Sequence, residues 1–190
     1  MLIMMISIGL VAAIETVLLI GVLRNQADLQ MTISRLNRDI DAVRPGNYLQ
    51  LTTLTSIDNE LLSLGQRQRE HHLVLIFATI DCPACRQLVE ALSRVVGQLG
   101  HPIDQVCIFC IDERNRVEQW REDINIPRSV PIVAMAEREV EQLCTLRVVP
   151  TVVFVGRHGR VDDVFEGAFS EGNWREVLER NQARSAQILV

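Results

Sequence analysis

The stretch FATIDCPACRQLVEAL, Phe77 to Leu92, sets two cysteines two residues apart at the point where a continuous apolar run gives way to a helical pattern. Such a pair can grip a metal, hold a haem or cycle as a reversible disulfide. Cys82 falls at the start of the helical segment, where unpaired N–H groups and the macrodipole favour a thiolate, the reactive form of the side chain. Pro83 suits the first helical turn, where a missing N–H costs nothing. The histidine that follows the second cysteine in c-type haem attachment is Arg86 here, which argues against haem. A structural zinc site needs four ligands, and the best candidates for the other two are Cys107 and Cys110. Residues three apart on a strand point to opposite faces, so that second CxxC is read as core packing and no metal is expected.

Working outward, HLVLIFATI (72–80) reads as a buried strand and Arg86–Leu99 as a helix with Leu88, Leu92, Val95 and Leu99 on one face. DQVCIFCID (104–112) is a second buried strand. A helix over Glu113–Asp123, a strand VPIVAM, a helix over Glu137–Leu146, strands TVVFVG and VDDVFEG and a helix over Glu171–Asn181 complete the order. Ahead of them, YLQLTTL and ELLSL around Asp58 and Asn59 predict an opening hairpin. The alternation predicts an α/β fold with an open, largely parallel sheet whose last two strands form a hairpin through RHGR.

The chain has 190 residues, 48% of them apolar, which is enough for one ordinary domain with a real core plus appendages. A net charge of -5 without a basic stripe argues against a nucleic-acid partner. All 19 basic residues are arginine, so Schiff-base, P-loop lysine and lysine-base chemistries are excluded. Five cysteines are too few and too unevenly placed for a disulfide-stapled scaffold.

Residues 1–23 are apolar apart from Ser7, Glu15 and Thr16, and a run of about 20 such residues spans a bilayer as a helix. Without a positive n-region or a clear cleavage site, residues 1–24 are read as an uncleaved transmembrane anchor. Glu15 within it marks either a contact with a partner helix, beside the small residues Gly9, Ala12, Ala13 and Thr16, or a neutral acid bonded to its own backbone. Leu29, Ile33, Leu36, Ile40 and Val43 form a seam on a juxtamembrane helical stalk, residues 25–45, that either lies against its own domain or pairs in a dimer. Pro45 and Gly46 end it. The main domain is placed at 46–182 and a tail at 183–190. Arg24, Arg35, Arg38 and Arg44 follow the span and none precedes it, so loop charge alone leans toward a cytoplasmic domain.

FATIDCPAC, followed by CTLRVVPTVVFVGRHGRV, resembles a thioredoxin-fold thiol oxidoreductase, Pro150 matching the family's cis-proline and RHG its hairpin turn. The opening hairpin and the extra strand and helix before Pro150 are similar to the TlpA-like branch. The anchor, stalk and CPAC together look most like the membrane-anchored accessory protein of methylamine utilisation, the MauD type. The resemblance implies Cys82 as nucleophile and Cys85 as resolving thiol, a substrate-binding edge at Val149, Pro150 and Thr151, and Asp81, Pro83 and Ala84 as neighbours of the dithiol. It implies no cofactor. It implies a single-pass protein of the inner membrane with a periplasmic domain, against the loop-charge reading. Its partners would be a disulfide-bearing client such as an amine dehydrogenase subunit and a transmembrane electron donor.

Several positions depart from that pattern. Thioredoxin carries tryptophan just before the first cysteine and an aspartate in the preceding strand, whereas this chain has Asp81 and Ile76. Asp81 either caps the helix or opposes the Cys82 thiolate. Thr79 and Cys82 fit the TxxC part of a peroxiredoxin site, but Leu75 stands where its proline belongs. Copper-carrying relatives use a wider CxxxC with a distant histidine, and His71, His72, His101 and His158 all read as solvated. The functional expectation is reduction or isomerisation of client disulfides. The alternatives are a redox-idle assembly subunit of a membrane complex and an apocytochrome c reductase.

Overall fold

The computed structural model describes residues 42–70, 72–99 and 105–186, and a few helical positions between 19 and 30. Most of the expected anchor, Glu15 included, most of the stalk, and residues 187–190 of the expected tail lie outside the described residues, whereas residues 183–186 continue the last helix. Among the described residues, no helix is long and apolar enough to cross a membrane. Residues 1–41 and 42–190 are separate units, and every described strand belongs to the second.

That unit opens with a two-stranded antiparallel hairpin, β1 (Thr53–Thr55) and β2 (Leu61–Ser63), and a short helix α1 (Leu64–Glu70). It continues through β3 (Leu73–Ala78), α2 (Pro83–Leu99), β4 (Val106–Ile111), α3 (Arg114–Asp123), β5 (Ile132–Met135) and α4 (Glu137–Leu143). The last elements are β6 (Thr151–Val155), a 3-10 turn (Arg157–Gly159), β7 (Val161–Glu166) and α5 (Glu171–Ala186). The main sheet has the order β5-β4-β3-β6-β7.

The sheet is less parallel than the alternation predicts. β3 pairs parallel with β4, and β4 with β5, but β6 runs antiparallel to β3 as well as to β7. Strand pairing supplies the reason. β5 ends, and β6 begins with Thr151 opposite Phe77, at the one sheet edge where β3 ends, so residues 136–150 need not cross the length of the sheet as α2 does.

β3 is buried at all six positions, as its unbroken apolar run predicts for a central strand covered on both faces. Val74, Ile76 and Ala78 face one layer, with Leu88, Leu92 and Val95 of α2 and Trp174 and Leu178 of α5. Leu73, Leu75 and Phe77 face the other, with Leu62, Leu64, Val140 and Phe109, and Phe77 stacks on Phe109 at 5.0 Å. Cys107 lies in the second layer and Cys110 in the first, on opposite faces of β4 as their spacing requires.

Other departures from the sequence reading have local causes. α1 is too short to show an apolar period, and tertiary bonds hold it: Gln68 Nε2 donates to the Gly156 carbonyl at 2.7 Å and the Leu64 amide to Thr52 at 3.3 Å. Val43, read as the end of the stalk seam, is not helical. Its amide donates to Thr145 at 2.8 Å and its side chain is buried beside Leu49. The hairpin turn is tied to α3 by Arg114, which donates to the Ile57 carbonyl, and by the buried Arg121, which pairs with Asp58. The RHG turn is present, with His158 and Gly159 at positive φ. A Cβ on Gly159 would come within 2.7 Å of the Leu49 carbonyl oxygen, so glycine is required there for space as well as conformation. His72 is half-buried, its Nδ1 3.4 Å from Asp162, rather than solvated; His158 is exposed, and His71 and His101 lie outside the described residues.

Candidate active site

The site forms where the C-terminal edge of β3 hands the chain to α2. Cys82 is the residue before the first helical turn, Pro83 takes the first position, and the Cys85 amide, three residues on, donates to Cys82 Sγ at 3.2 Å. The sulfur therefore occupies the place of a capping side-chain oxygen and satisfies one of the four unpaired N–H groups at this helix end. A negative sulfur is the better acceptor of this bond. Asp81, read as a possible cap, is not the group that does this; its carboxylate is bound by Arg116 instead.

The two thiols differ in environment. Cys82 is half-buried, whereas Cys85 is completely buried against Ile76, Leu88 and Val89. Burial first, then the adjacent Cys82 sulfur, pushes the Cys85 thiol up to about 12, with contacts to Thr79 opposing the rise. Burial also pushes Cys107, Cys110 and Cys144 up to about 12. Of the five thiols Cys82 is half-buried and the other four are buried. Ile76 is fully enclosed, so the position beneath Cys85 offers no carboxylate.

Facing the dithiol is the loop that enters β6. The Val149–Pro150 peptide is cis, and the Val149 carbonyl lies 3.9 Å from Cys82 Sγ, within reach of a weak S–H···O contact. Thr151 fixes this loop by donating its hydroxyl to the Val148 carbonyl at 2.6 Å, and the Gly167 amide donates to the Pro150 carbonyl at 2.8 Å. Val148 is exposed beside it, and Ile80 and Val149 are half-buried around Cys82. Pro83 is exposed and Ala84 half-buried on the near side. The structure thus gathers Asp81, Cys82, Pro83, Ala84, Cys85, Val149, Pro150 and Thr151 at one sheet edge.

Two residues that sequence reasoning passed over also belong here. Arg116 of α3 reaches Asp81, and Asp112 at the end of β4 binds the same guanidinium. The i, i+4 spacing of Asp112 and Arg116 is legible in the sequence. Their approach to Asp81 depends on β3 and β4 ending side by side. Chemically, the site offers an accessible nucleophilic sulfur, a buried second sulfur one turn away, and an apolar rim suited to a peptide segment.

Residues 64–182 match the family model described as a thioredoxin-like domain. No curated protein matches the chain in sequence. Among solved structures, it is similar to a thiol:disulfide interchange protein of the thioredoxin family from Chlorobium tepidum TLS, at 13% identity and TM-score 0.58, covering 74% of this chain and 98% of that one. StoA from Bacillus subtilis aligns at 18% identity and TM-score 0.54, over 73% and 97% of the two chains. A DsbF homologue from Corynebacterium diphtheriae aligns at 19% identity and TM-score 0.56, over 71% and 87%. At these identities the likeness is one of fold.

Proposed function

The chain belongs to the thioredoxin-like domain family, and from that footing we propose that it is a thiol:disulfide oxidoreductase acting on a client protein through Cys82 and Cys85. The observation that carries this reading is the unequal pair: one sulfur half-exposed and hydrogen-bonded at a helix start, the other buried and held as a neutral thiol. The Cys82 thiolate attacks one sulfur of a client disulfide, and the other client sulfur leaves as a thiolate. Cys85 then gives up its proton and attacks Cys82 Sγ, releasing the second client thiolate. The client gains two electrons and the protein is left with a Cys82–Cys85 disulfide, which a separate dithiol donor must reduce.

The finer reading is a membrane-tethered enzyme whose domain lies in the periplasm and matures a partner such as an amine dehydrogenase subunit. Residues 1–23 and the MauD-type resemblance support it, and a tether raises the local concentration of client and donor. A second reading, an assembly subunit with an idle dithiol, is favoured by the missing acid at Ile76. Trapping separates the two. Cys85→Ser should accumulate a mixed disulfide on Cys82 that reducing gel electrophoresis dissolves and mass spectrometry identifies; an idle site would trap nothing.

The second step carries a pH signature. Because burial holds Cys85 far above the ordinary thiol range, the fraction ready to attack is small and grows about tenfold per pH unit. Resolution of a preformed mixed disulfide, followed by stopped-flow mixing, is expected to accelerate through pH 7–9 without levelling off. A plateau below pH 9 would show that another group takes the Cys85 proton.

A further inference from the structure

Arg116 lies in the first turn of α3 and holds two carboxylates at once. Its Nη2 donates to both oxygens of Asp81, at 3.1 and 3.2 Å, and its Nη1 to both oxygens of Asp112, at 3.0 and 2.9 Å. Asp81 immediately precedes Cys82, and Asp112 follows β4. The parallel register that sets Ala78 beside Cys110 brings the two acids to the same edge. Their surroundings differ: the Asp112 side chain is 12% exposed and also accepts from the Glu113 amide, whereas that of Asp81 is 80% exposed. Asp112 is therefore the anchored partner, and through it the guanidinium holds Asp81.

A free carboxylate one residue before the nucleophile would oppose its thiolate, and a carboxylate gripped on both oxygens by a guanidinium does so much less. Of the other charges on the surrounding elements, Arg86 pairs with Glu90 on α2 at 2.9 Å, Arg114 with Glu118 on α3 at 2.9 Å and Arg147 with Glu166 beside the Pro150 loop at 2.8 Å, while Glu113 stands at the start of α3. We propose that Arg116 is a positioning residue for the redox site: it keeps the charge of Asp81 engaged on the α3 side and so sets the fraction of Cys82 that is thiolate near neutral pH. This rests on the proposed function. It also resolves the two roles open to Asp81 in the sequence, since the residue neither caps α2 nor faces Cys82 uncompensated.

The test is the alkylation rate of Cys82 by iodoacetamide, read peptide by peptide from pH 5 to 9 on the reduced full chain, in wild type, Arg116→Gln, Asp81→Asn and the double variant. At low salt, Arg116→Gln is expected to slow Cys82 about threefold at pH 7, a size typical of an exposed charge pair, and to move its titration to higher pH. In the Asp81→Asn background the same change should have less than half that effect. Salt at 1 M should erase most of the difference, because the screening length falls to about 3 Å. An equal loss in both backgrounds, or a lowered melting temperature with an unmoved pH profile, would overturn the proposal while leaving the redox function intact. If wild-type Cys82 alkylates no faster than the four buried cysteines, the redox function fails, and this inference with it.

Discussion

Serine at position 82 is expected to lower turnover of a model disulfide peptide, with dithiothreitol as electron donor, by about 10³-fold or more. A hydroxyl stays protonated where a thiol ionises, and disulfide exchange needs the anion. Removing the nucleophile of a covalent mechanism costs factors of this order or greater. No other thiol can substitute. Cys85 and Cys110 are 0% exposed, Cys107 3% and Cys144 8%, and burial holds each of them neutral. Cys144→Ala, in the layer on the opposite face of the sheet from Cys85, should stay within about twofold of wild type, so the pair of variants separates chemistry from packing. Turnover by Cys82→Ser within tenfold of wild type would remove Cys82 from the reaction.

Trp174→Ala is expected to cost about 3–5 kcal/mol of stability, the usual range for emptying a large buried aromatic site. Trp174 is fully buried on α5, packs at 5.0 Å from the Phe169 ring, and donates its Nε1–H to the Leu88 carbonyl of α2 at 3.1 Å. It therefore joins the C-terminal helix to the helix that Cys82 precedes and that carries Cys85. With a urea dependence of about 2 kcal/mol/M, the unfolding midpoint should fall by roughly 2 M. Trp174→Phe should recover more than half of that, since it keeps most of the apolar area and loses one hydrogen bond worth about 1 kcal/mol. A midpoint shift below about 0.5 M for the alanine variant would mean that α5 is not docked on α2 in solution as described.

The α/β alternation, the buried β3 and β4 and the junction that places Cys82 at a helix start were all legible in the sequence. Each depends on burial or capping within a few residues, and such effects leave a period or a motif in the chain itself. Cys107 and Cys110 illustrate this: their spacing alone assigns them to opposite faces. Tertiary structure decided what depends on partners far apart in the chain. The antiparallel insertion of β6 against β3, and the folding of α1 against Gly156 and Thr52, have no local periodicity to announce them. Nor does the bridge from Arg116 to Asp81, 35 residues apart, because charged side chains on solvated faces look alike until strand register chooses which of them meet. Val43 and His72 make the same point: one read as a seam residue and the other as solvated, they are drawn in by Thr145 and Asp162, partners that only the folded sheet brings near. Local burial patterns thus specify the elements and the dithiol, while long-range pairing sets the strand directions and the charges around it.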